Sequence, residues 1–146
     1  MTSVQRSNAA AELSAVLRPS LLRLTRTIRN QRVDTSVSLS LLTALFNLQL
    51  NGPMTPGELA TSERVQPPSM TKILAGLEAK GLIRRDKHPT DGRQMIVSVT
   101  ADGTALLIQE RKARQAWLAL ALEQLTPTEQ QLLRDVQPVL DKIANL

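Results

Sequence analysis

Pro67-Pro68-Ser69-Met70-Thr71-Lys72-Ile73-Leu74-Ala75-Gly76-Leu77-Glu78-Ala79-Lys80, then Gly81, Leu82-Ile83-Arg84-Arg85-Asp86-Lys87-His88, Pro89-Thr90-Asp91-Gly92, Arg93 and Gln94-Met95-Ile96-Val97-Ser98-Val99, is the stretch that decides the fold. Met70, Ile73, Leu74 and Leu77 recur at spacings of three and four, which marks one buried face of a helix over 67–80. Gly81 is the expected helix stop. The two runs that follow read as strands, because Met95, Val97 and Val99 alternate with period two. Asp91-Gly92 is a favoured turn dipeptide, since glycine accepts positive φ, and it leaves Arg93 at the base of the loop. A helix of a size that enters a major groove, followed by a basic hairpin, has the shape to touch two parts of one duplex.

Upstream, Thr55-Pro56-Gly57-Glu58 is a helix-start signal. Threonine accepts a backbone N–H, proline suits the first turn, and glutamate reaches back to the cap. The short helix 56–63, a turn at Arg64-Val65-Gln66 and the helix at 67–80 share an apolar face of Leu59, Ala60, Val65, Met70, Ile73, Leu74 and Leu77. Two short helices joined by a tight turn form a helix-turn-helix, and the hairpin behind them makes it winged.

The flanks are helical too. Residues 1–8 are polar and are expected to fray. From Ala9 to about Arg32 the apolar positions Leu13, Val16, Leu17, Leu21, Leu24 and Ile28 follow helical spacing, and Pro19 predicts a kink or a break into two helices. A second helix, capped by Ser36 or Ser38, runs to about Leu50 with Leu39, Leu42, Leu45 and Phe46 expected to face inward. Asn51-Gly52-Pro53 stops it. Thr100-Ala101-Asp102-Gly103 opens a long helix to about Leu125. Thr126-Pro127-Thr128-Glu129 starts a last one, with Leu132, Leu133, Val136, Leu140 and Ile143 on one face and Pro138 as a candidate kink.

The chain has 146 residues, enough for a hydrophobic core. Phe46 and Trp117 are its only aromatic residues, so the core must be aliphatic, which suits helix packing. The net charge is +5, a balance that favours polyanions. Arg64, Lys72, Lys80, Arg84, Arg85, Lys87 and Arg93 face only Glu78, Asp86 and Asp91 within residues 64–93, so much of the excess sits on the helix and hairpin. Arg18, Arg23, Arg26, Arg29 and Arg32 add to it on the first helix. With no cysteine and one histidine, disulfides, thiolate metal sites and thiol redox chemistry are excluded. No phosphate-binding glycine loop or metal-ligand spacing is present, so neither an enzyme nor a cofactor or metal is expected. No signal peptide is visible in the first 30 residues and no run approaches a membrane span, so the expected location is the cytoplasm.

The order of elements resembles the MarR family of bacterial transcriptional regulators. The match rests on Leu77-Glu78-Ala79-Lys80-Gly81-Leu82-Ile83-Arg84-Arg85, on Asp91-Gly92-Arg93, and on Val99-Thr100-Ala101-Asp102-Gly103. These are similar to that family's Leu-Glu-x-x-Gly-Leu-[Ile/Val]-x-Arg, its Asp-x-Arg wing and its Leu-Thr-x-x-Gly helix start. The resemblance implies a mostly α fold, with a winged helix-turn-helix lobe at 53–100 and dimerisation helices at 9–34 and 101–146. It implies a homodimer on double-stranded DNA that controls nearby genes as a repressor on an inverted repeat, often released by a small anionic or phenolic effector.

On the recognition helix the resemblance places DNA contacts at Pro68, Ser69, Thr71 and Lys72. Hydroxyls suit a base edge or a phosphate, and the ammonium suits a phosphate or guanine. Pro67-Pro68 departs from the more usual polar start. It removes two backbone donors and lowers the direct readout expected there. On the wing, Arg93 is the leading candidate, because a guanidinium suits the negative potential of a narrow minor groove. Arg84, Arg85, Lys87 and His88 are candidates for phosphate contacts. Asp91, an anion, is implied to position Arg85 or Arg93. Arg23 and Phe46 are candidate liners of an effector site. Two other readings are a winged-helix module that binds proteins and an architectural DNA binder without sequence preference. A steep salt dependence separates the first from DNA binding, and discrimination among sequences separates the second.

Overall fold

The structure, a computed structural model, describes residues 3–146, with side chains from residue 5 onward. The elements run α1 (Ser3–Arg29), α2 (Leu39–Asn51), α3 (Pro56–Ser62), α4 (Pro67–Ala79), β1 (Ile83–Lys87), β2 (Met95–Val99), α5 (Ala101–Glu123) and α6 (Pro127–Ala144). The chain divides into two compact units. One takes the N-terminal residues up to Arg32 together with Ala113–Leu146, and the other is Val33–Lys112.

The second unit holds the core. Leu42, Ala44, Leu45 and Leu48 of α2 pack with Leu59 and Ala60 of α3, Met70, Leu74 and Leu77 of α4, and Leu82, Ile83 and Val97 of the hairpin. Val65 and Ile73 lie partly buried against this cluster. α2 departs from expectation in which residues it buries. Its cap is Ser38, whose hydroxyl accepts from the Leu41 N–H, but Leu39 and Phe46 are 44% and 49% exposed. The inward face runs through 42, 45 and 48, and Phe46 lies about 100° round the helix from Leu45, outside that stripe.

α3 opens with the expected capping box. The Thr55 N–H donates to Glu58 Oε2 at 2.8 Å, and the Glu58 N–H returns to Thr55 Oγ1 at 3.2 Å. Hydrogen bonds to the Glu58 carboxyl, first from the Thr55 backbone N–H and then from the Thr55 hydroxyl, hold it below the usual carboxylate range. A connection unseen in the sequence joins α2 to the helix-turn-helix: Asn47 donates its amide to Ser62 Oγ at 2.8 Å and also bonds Glu63. The turn itself needs Arg64 at φ +52.

β1 and β2 pair antiparallel, with Ile83 opposite Val99, Arg85 opposite Val97 and Lys87 opposite Met95. Val97 also pairs with Met54, exchanging both backbone hydrogen bonds, at 3.1 and 2.8 Å. This bridge anchors the base of the hairpin just upstream of α3. It was not legible in the sequence, because one bridging residue after Gly52-Pro53 has no periodicity. Of the alternating strand residues, Val97 is buried and Val99 half-buried, while Met95 lies exposed near the tip.

Thr100 and Gly103 explain the start of α5. The Thr100 N–H donates to Leu82 O at 3.0 Å, its hydroxyl donates to Gly81 O at 2.6 Å, and the hydroxyl oxygen accepts from the Gly103 N–H at 3.1 Å. A Cβ on Gly103 would stand 2.3 Å from Leu82 O. One threonine and one glycine thus lock α5 onto the end of α4, where Gly81 takes φ +69. Further along α5, the fully buried Glu110 accepts from the Val33 and Asp34 N–H groups through Oε1, both at 3.2 Å.

The first unit contrasts with this. α1 runs unbroken through Pro19. A single missing N–H removes one ladder bond without ending the helix. Helix from Ser3 replaces the expected fraying over 3–8, and residues 1 and 2 lie outside the described residues. α6 begins with the second capping box, Thr126 with Glu129, whose carboxyl is lowered first by the Thr126 backbone N–H and then by its side chain. α6 buries no residue, and Leu13, Val16, Leu22, Leu132, Val139 and Ile143 are all more than half exposed. Among the described residues no helix is long and apolar enough to cross a membrane.

Candidate nucleic-acid interface

α4 is positioned from below. Met70, Leu74 and Leu77 are each no more than 1% exposed, so one face of the helix is fixed in the core and the opposite face is carried with it. Pro67, Pro68, Ser69, Thr71 and Lys72 are exposed on its first two turns, so the four predicted contact positions stand together in the open. The Thr71 hydroxyl donates to Pro67 O at 3.0 Å, leaving its lone pairs to accept. Lys72 forms no ion pair among the described residues.

The helix start is unusual. Pro67 and Pro68 occupy its first two positions, and Gln66, the N-cap, makes no side-chain capping bond. The Met70 N–H is taken by Gln66 O at 3.0 Å. Of the four backbone donors a helix N-terminus normally presents, the Gln66 and Ser69 N–H groups are what remain.

The wing is held differently. Its loop closes through the His88 N–H to Gln94 O and the Gln94 N–H to Asp91 O, both at 3.0 Å. His88 Nδ1 accepts from the Thr90 and Asp91 N–H groups at 3.3 and 3.2 Å. That requires the unprotonated nitrogen, and it makes His88 a clamp of the loop. Gly92 does not take the positive φ expected of it; only Gly52 and Gly81 do so among the described glycines. The loop spans 88–94, too long for a two-residue turn, and the Asp91 carboxylate turns the chain by accepting from the Arg93 N–H at 3.1 Å.

The arginines of the hairpin therefore separate into two kinds. Arg85 is half-buried and its Nε meets Glu78 Oε2 at 2.9 Å, bracing β1 against α4. Arg84 is exposed and contacts Asp86 at 3.0 Å and Ser98 at 3.3 Å. Lys87 and Arg93 are exposed and form no ion pair among the described residues. Of the two arginines weighed as Asp91's partner, Arg93 receives its contact, through the backbone and not the guanidinium.

The two candidate effector liners lie in different units. Arg23 is on α1, exposed, with Nη2 donating to Ser20 Oγ at 3.3 Å. Phe46 is on the outer side of α2.

Comparison with known proteins agrees with this geometry. The MarR family profile matches residues 37–95. A helix-turn-helix-type transcriptional regulator of Mycobacterium tuberculosis is 46% identical over 124 residues, covering 85% of this chain and 87% of the relative. A crystal structure from Pseudomonas aeruginosa, assigned as a transcriptional regulator, superposes with a TM-score of 0.82 at 33% identity, over 95% of this chain and 98% of that one. A mutant of Staphylococcus aureus MepR bound to an oligodeoxyribonucleotide shares the fold, with a TM-score of 0.70 at 18% identity over 90% and 97% of the two chains.

Proposed function

The chain belongs to the MarR family of transcriptional regulators, and we propose that it acts as a homodimeric repressor that grips an inverted-repeat operator through α4 and the wing. The observation that carries this reading is the pairing of an exposed polar helix turn on a buried base with an exposed Arg93 on a clamped loop. Lys72, Lys87 and Arg93 supply charge for phosphates and the minor groove, Ser69 and Thr71 supply hydroxyls, and Arg84 adds a phosphate contact once it leaves Asp86. Arg85, His88 and Asp91 position the wing.

Dimerisation is supported by the apolar side chains of α1 and α6 that the single chain leaves uncovered. A second copy that covers them brings two α4 helices into one assembly, one for each half-site. A small anionic or phenolic effector that releases the DNA belongs to the same proposal. The residues 53–100 are the DNA-reading part, and 9–34 and 101–146 the dimerising part. The expected setting is the cytoplasm.

Selection of bound duplexes from a random pool tests the proposal. Enrichment of an inverted repeat with half-site centres about one helical turn apart supports it. No enriched sequence, or a single unrepeated half-site, overturns it.

A further inference from the structure

The start of α4 carries more information than its loss of donors suggests. Ser38, Thr55 and Thr126, the N-caps of α2, α3 and α6, each turn the side chain back onto their own helix. Gln66 does not, and its exposed carboxamide remains unspent. A residue with a longer side chain than Ser, Thr or Asn is a poor cap, so its place here is not explained by helix stability. Immediately beside it stand two exposed pyrrolidine rings, Pro67 and Pro68, with no N–H to offer a phosphate. This turn is therefore built to present one amide and an apolar surface.

That combination matches one kind of base pair. A carboxamide offers a donor and an acceptor side by side, the complement of adenine N6–H and N7 in the major groove. An apolar ring suits the 5-methyl group that thymine alone displays there. The first turn of α4, residues 66–69, holds no arginine, the residue best shaped to grip guanine O6 and N7 in bidentate fashion; Arg64 stands before it, in the connection from α3. We propose that Gln66 and Pro68 read A·T pairs in each half-site, Gln66 through adenine N6 and N7 and Pro68 through a thymine methyl. This inference rests on the DNA-reading role of α4 proposed above.

The test uses the full chain and a duplex enriched from a random pool. Each thymine is replaced singly by deoxyuridine, which pairs alike but lacks the methyl, and each adenine by 7-deazaadenine, which lacks the N7 acceptor. One thymine and one adenine per half-site are expected to weaken binding about fivefold or more. Pro68→Ala abolishes the deoxyuridine penalty and Gln66→Ala the 7-deazaadenine penalty. Circular-dichroism spectra and thermal melts that match wild type show that both variants are folded. Absence of either penalty in the wild type, or its survival in the matching variant, overturns the proposal. Failure to enrich any duplex is a different result: it removes the operator-binding reading itself.

Discussion

α4 and the wing both face outward from one unit, yet they are held by opposite means. α4 stands on Met70, Leu74 and Leu77, three side chains sealed in the core. The wing loop stands on hydrogen bonds made by its own residues, His88, Asp91 and Gln94, and its buried apolar anchors, Ile83 and Val97, lie back at the base of the hairpin. The helix thus has the fixed geometry that reading base edges demands. The wing needs less, because a guanidinium near phosphates and a narrow groove acts mainly through charge. On the proposed reading, specificity belongs to the rigid element and electrostatic grip to the locally tied one.

The largest effect should come from cutting the helix's footing. Leu74→Ala is expected to lower the unfolding free energy by about 2–5 kcal/mol, read from denaturant melts by circular dichroism. A change below about 1 kcal/mol would mean that α4 is not seated as deeply as its burial indicates. Arg93→Ala should do the converse, leaving the melt unchanged and weakening DNA binding by about 1–3 kcal/mol, read by fluorescence anisotropy. Unchanged affinity at physiological salt removes the wing contact from the account.

Smaller effects sharpen the contrast. His88→Ala deletes the acceptor that clamps Thr90 and Asp91, and should weaken DNA binding by about 0.5–1.5 kcal/mol, the net worth of such bonds. Faster hydrogen exchange at those two amides, with α4 amides unaffected, is the accompanying signature. Exchange rates equal to wild type would show that the clamp is dispensable. The smallest effect is on pH. The carboxyls of Glu58 and Glu129 are lowered by their capping boxes. Their contribution is therefore present above the unfolded carboxylate value and is lost as pH falls through the lower folded one. The acid branch of a melting-temperature profile below about pH 4.5 should be shallower in Glu129→Gln than in wild type. An identical branch would leave that box without a measurable role.

The sequence made the helix-turn-helix, the hairpin and both capping boxes legible because each rests on local signals: apolar periodicity, a Gly81 stop, and Thr-Pro-x-Glu. Thr100 and Gly103 were legible as a helix start, but not as the lock on Gly81 and Leu82, which needs residues far apart in the chain to meet. The Met54 bridge, the Asn47 link and the Arg85–Glu78 brace were hidden for the same reason. Phe46 misled because helical spacing predicts a stripe without saying where it ends. The loop clamp made by His88 was hidden because nothing in one residue announces that its ring caps its own loop. Family resemblance points to the exposed positions on α4, whereas Gln66, one residue before the helix, lies outside the residues that carry it.

The division of labour between helix and wing is tested most directly by the salt dependence of binding, measured for wild type and Arg93→Ala on an enriched duplex and on an unrelated one. The account predicts that Arg93→Ala weakens both duplexes alike, reduces the slope of log K against log salt by about 1, and leaves the ratio between them unchanged. A collapse of that ratio with the slope intact would contradict it, placing sequence reading in the wing.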